Sequence, residues 1–129
     1  MGSELPKCVA LLLCDYVIED RRTGNKSFIG TFNGISSSQF PIRLDRMFVI
    51  VSLTNIFGQC PIMVRIVKPD GEPLLEMKGD VRADGPLQVL DMVLEFRGIV
   101  FPSVGQHSVE VTCESELLAM RQFEVTQRN

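Results

Sequence analysis

A chain of 129 residues, 45% hydrophobic and 22% charged, is long and apolar enough to bury one core without metals or crosslinks, so residues 1–129 read as one folded domain. Thirteen basic residues interspersed with sixteen acidic ones leave a net charge of -3, and no basic stripe is visible. Affinity for nucleic acid rests on Lys and Arg neutralising phosphates, so that partner class is not expected.

The first apolar run lies in KCVALLLCDY, residues 7–16. A secretion signal needs a basic start, an apolar run of about 7 to 15 residues and small residues before the cleavage point. Here Lys7 is the only basic flank, and Leu13 stands where a small residue should precede Cys14. A membrane-spanning helix needs about 20 apolar residues, and Asp15 ends this run. The run therefore reads as a strand buried on both faces of a cytoplasmic protein with no membrane partner. In one strand Cys8 and Cys14 lie about 20 Å apart, too far for a disulfide, which tolerates roughly 4.4 to 6.8 Å between Cα atoms. With Cys60 and Cys113 they are expected to be reduced and mostly buried.

RRTGNK is a polar turn, and SFIGTF at 27–32 is the returning arm of a hairpin. The segment 33–46, with Gly34, three serines and Pro41, reads as a connection crossing between sheets. MFVIVSLT at 47–54 is rich in β-branched and aromatic residues and reads as a buried strand. PIMVRIV and LLEMKGDV flank Pro69-Asp70-Gly71-Glu72, where proline and glycine supply tight-turn torsions.

LQVLDMVLEF at 87–96 admits a helix, but its alternation places Leu90, Met92, Leu94 and Phe96 on one face, and strand is the expectation, broken by Gly98. IVFPSVG follows as an extended piece and a turn. HSVEVTC alternates cleanly, ESE turns, and LLAMRQFEVT returns as the last strand. Seven to nine strands at short spacing, without a convincing long helix, predict an all-β, antiparallel, immunoglobulin-like β-sandwich. The Cys, Trp, Cys arrangement of a true immunoglobulin domain is absent, because the chain has no tryptophan.

Three stretches carry a resemblance: the opening ALLLCDYVIEDRRTGNKSFIGTFNGI, the middle MVRIVKPDGEPL and the close FRGIVFPSVGQHSVEVTCESELLAMRQFEVT. Together they are similar to a family of small bacterial β-sandwich proteins of unknown function, with Cys14-Asp15 after the first strand and Gly30-Thr31-Phe32-Asn33 after the hairpin. The resemblance implies the fold and no reaction. In many immunoglobulin-like domains the closing turn ends in tyrosine; here Pro102-Ser103-Val104-Gly105-Gln106-His107 puts a histidine there.

His107 is the only histidine, with no carboxylate or nucleophile signalled beside it, so a structural role is expected and catalysis is not. Zinc lacks a Cys-x-x-Cys and a second histidine. Asp15, Glu19 and Asp20 could approach a calcium ion, but Arg21 and Arg22 supply opposing charge, and a solvated hairpin end is the simpler reading. No cofactor is expected, and the chain is read as non-enzymatic. What remains is recognition at loop ends and sheet edges. In TNIFGQCP, residues 54–61, the apolar Ile56 and Phe57 interrupt a turn-like segment. They either tuck over the open end of the core or form a contact patch for a protein partner or a second copy. The alternative is a small-ligand site, between the sheets or at a loop end.

Overall fold

The structure, a computed structural model, describes residues 4–128, which form nine strands and no helix. No helix among them is long and apolar enough to cross a membrane. The strands are β1 (Lys7–Glu19), β2 (Lys26–Thr31), β3 (Gly34–Ser37), β4 (Ile42–Thr54), β5 (Gln59–Val67), β6 (Pro73–Arg82), β7 (Leu90–Phe101), β8 (Gly105–Cys113) and β9 (Glu116–Gln127). They build two sheets, in the orders β2-β1-β4-β7 and β3-β9-β8-β5-β6. This is an immunoglobulin-like β-sandwich.

Period-two alternation supplies the two inner faces. Leu11, Leu13, Met47, Val49, Val51 and Leu53 of the first sheet meet Val64, Ile66, Val109, Val111, Phe123 and Val125 of the second in one buried cluster. At 25 cal/mol or so per Å² of apolar surface, a face of this kind dominates the stability of each strand.

Three sequence expectations change. The polar connection does cross between sheets, but it carries β3 on the way, and β3 pairs parallel to β9 through Ile35 opposite Val125. It can do so because the peptide enters the second sheet at its edge, beside the last strand. The strand expected from Met47 begins at Ile42, and the one expected to stop at Gly98 runs on to Phe101. Gly98, at φ 61°, lets β7 change faces: Phe96 points into the core before it, and Ile99 and Phe101 after it. β4 makes the matching change between Leu44 and Met47 without slipping in register, since Leu44 stays opposite Ile99 and Arg46 opposite Arg97. Finally, β1 is not buried uniformly. A bulge between Cys8 and Ala10 leaves Val9 exposed, and Leu11 and Leu13 alone are core members of the run.

The side where β1 approaches β9 is latched by Arg121. Its Nη1 donates to the Leu11 carbonyl at 3.0 Å and its Nη2 to Asn33 Oδ1. The Gly-x-Phe-Asn stretch thus has a structural office: Phe32 packs on the core, its amide donates to the Leu13 carbonyl, and Asn33 receives the arginine.

Candidate functional site

The outward face of the β2-β1-β4-β7 sheet is apolar, which the sequence pattern alone does not announce. Register places Leu12 beside Ile50 and Ile50 beside Val93, forming one row. The next row runs Thr31, Cys14, Phe48 and Glu95, and the one after it Ile29, Tyr16, Arg46 and Arg97 in neighbouring strands. Cys14 and Ile50 are 0% and 1% exposed yet stand outside the core cluster, because they are covered by neighbours on their own face. At the β1–β2 corner, Tyr16, Ile18 and Ile29 are 45%, 46% and 46% exposed. Isolated exposed apolar residues are ordinary; these adjoin one another and the Phe48 row, which makes a contiguous patch.

Polar groups rim this face. The Tyr16 and Phe48 rings meet edge to face with centroids 6.4 Å apart, and the Arg46 guanidinium lies 4.8 Å from the Tyr16 centroid. Arg46 and Arg97 share Glu95, at 3.8 and 3.0 Å. At the far end of the same two strands, Asp91 accepts a hydrogen bond from the Ser52 hydroxyl. The face therefore has two arginines around Glu95 at one end and a single carboxylate, Asp91, toward the other.

The two residues singled out in the 54–61 loop are separated by the fold. Ile56 is 1% exposed and belongs to the core cluster, so it is withdrawn from any contact surface: the loop tucks it over the open end of the sandwich. Phe57 points outward at 57% exposure, beside a pocket of about 190 Å³ that Cys60 and Cys113 also line.

His107 is buried among Phe101 and Phe123, whose ring centroids lie 5.3 and 5.6 Å away. Its Nδ1–H donates to the Gly105 carbonyl at 3.1 Å, and Nε2 has no partner among the described residues. Burial pushes its pKa down, only partly opposed by the Gly105 carbonyl and Asp70. The side chain works as a core aromatic that anchors the start of β8. Asp15, Glu19 and Asp20 do not converge: Asp20 Oδ1 instead accepts the amides of Arg22 and Thr23, closing the hairpin turn. Among the described residues no group of three or more His, Cys, Asp or Glu is arranged to hold a metal ion.

Between the edges of the two sheets lies a slot of about 230 Å³, lined by Ile62, Val64, Met77, Val81, Met92 and Leu94. It is smaller than the roughly 300 to 1,000 Å³ of common ligand pockets. A wider depression, about 420 Å³ beside Met63 and Lys78, lies open on the surface.

A solved immunoglobulin-like protein from Pseudomonas aeruginosa is similar at a TM-score of 0.48 and 14% sequence identity, over 97% of this chain and 99% of that one. No curated protein matches the sequence. The model of a family of unknown function, DUF6941, matches residues 9–126, and the chain belongs to that family.

Proposed function

We propose that this protein is a non-enzymatic assembly module that pairs with a second copy of itself through the outward face of the β2-β1-β4-β7 sheet. The observation that carries this reading is the contiguous apolar patch of Tyr16, Ile18 and Ile29 adjoining Phe48, with Arg46 and Arg97 at one end of the face and Asp91 at the other. A second copy laid face to face with its strands reversed sets Arg97 of one against Asp91 of the other, which lays the Leu12–Ile50–Val93 row of one over the Cys14–Phe48–Glu95 row of the other. Four strands about 4.8 Å apart and the Ala10–Ile18 stretch of β1 span roughly 500 Å². Two copies would bury about 1,000 Å², the lower bound for a specific interface. An isologous contact needs such a self-complementary patch. The four free thiols fit a reducing cytoplasm.

Native mass spectrometry and sedimentation of the full chain test the reading. The expected species is a dimer that Ile29→Asp weakens at least about tenfold. Because Ile29 is exposed in the single chain, variant and wild type should melt alike at concentrations where both are monomeric, and the variant should melt lower where only the wild type is dimeric. Phe57→Asp should leave the dimer intact. A monomer at every concentration reached, or a dimer lost on Phe57→Asp and kept on Ile29→Asp, would overturn the assignment.

A further inference from the structure

Cys60 lies at the start of β5 and Cys113 at the end of β8, and these strands are antiparallel neighbours whose ladder reaches Met63 opposite Thr112. The fold therefore brings together two thiols that are far apart in the chain. Both line the same end pocket of about 190 Å³, where Asn55, Phe57 and Pro6 form part of the wall. Cys60 is half-buried and Cys113 is buried against the core. The other two thiols are differently placed. Cys8 and Cys14 donate to carbonyls of their own strand, Ala10 at 3.2 Å and Tyr16 at 3.4 Å.

We propose that Cys60 and Cys113 are a dithiol modification site that closes into an intramolecular disulfide when the protein meets hydrogen peroxide. The Cys60 sulfur, the more accessible one, attacks the peroxide oxygen; the O–O bond breaks, giving Cys60 sulfenic acid and one water. The Cys113 sulfur then attacks the sulfenic sulfur, the S–O bond breaks, and the hydroxide leaves with the Cys113 proton as a second water. Two thiols are oxidised to one disulfide, and one peroxide is reduced to two waters.

The surroundings set the tempo. Burial, then the neighbouring Cys113, Glu114 and Asp80, push the Cys60 thiol up to about 11. Few thiolates are present at neutral pH, so closure is slow and quickens as pH rises. Burial pushes the Cys113 thiol up as well, which makes each sulfur a poor leaving group, so the disulfide, once formed, resists reduction. These are properties of a latching crosslink, in contrast to a rapid sensor.

Full-length protein treated with peroxide, followed by intact mass, peptide mapping and thermal melting, decides the matter. The expected product has lost two hydrogens, yields one linked peptide pair containing Cys60 and Cys113, and melts about 10 °C higher, as closing a long loop constrains the unfolded chain. A strong phosphine reductant should reverse both changes. Cys60→Ser, at the more exposed position, should abolish the link, whereas Cys8→Ser should keep it. Oxygen addition to Cys60 without a link, a link through Cys8 or Cys14, or an unchanged mass would each overturn the assignment.

Discussion

Arg121 Nη2 donates to Asn33 Oδ1 at 2.6 Å, while Nη1 of the same guanidinium reaches the Leu11 carbonyl across the sandwich. One planar fork thus ties the last strand to the first and to the segment that leaves the first sheet. Lysine, with a single ammonium, cannot hold both acceptors in this geometry.

Arg121→Ala and Asn33→Ala should each destabilise the fold by about 1 to 3 kcal/mol, because a half-buried polar group loses its partner. The two losses should not add. In urea denaturation, Asn33→Ala made in an Arg121→Ala background should cost clearly less than in the wild type, and strict additivity would show that the latch carries no energy.

His107 predicts a pH dependence with a definite sign. Its folded pKa lies below the unfolded value, so the unfolded chain takes up the proton first. The stability associated with the neutral ring is present above the unfolded pKa of about 6.5 and is lost progressively as pH falls from there through the lower folded pKa, at up to about 1.4 kcal/mol per pH unit. Urea midpoints between pH 8 and 5 should show this fall in the wild type and a shallower one in His107→Leu. Equal slopes would place the acid sensitivity on other groups.

Gly105 adopts φ 131°, and a Cβ there would lie 2.8 Å from Pro69 Cγ in the turn before β6. Gly105→Ala should therefore cost about 1 to 3 kcal/mol through strained torsion and a clash with a ring that cannot swing away. Gly79→Ala is the control: nothing lies within 4 Å of the added carbon, and its melting temperature should match the wild type or exceed it slightly. Equal effects at the two sites would remove the steric account.

Local chemistry determined a large part of this protein. Alternation in HSVEVTC and in the Phe123–Val125 stretch fixed which side chains face the core, and the turn residues Asp70 and Gly71 fixed a hairpin, because both signals act over a few residues. The fold class was legible for the same reason. The outward apolar face was not, since Tyr16, Ile29, Phe48 and Val93 come from four strands and become neighbours only when register sets them side by side. The sequence also could not divide Ile56 from Phe57: both are large and apolar, and only the path of the loop over the end of the core sends one inward and the other to solvent. The meeting of Cys60 with Cys113 has the same origin, because the pairing of β5 with β8 is a long-range choice made by the packed sheets.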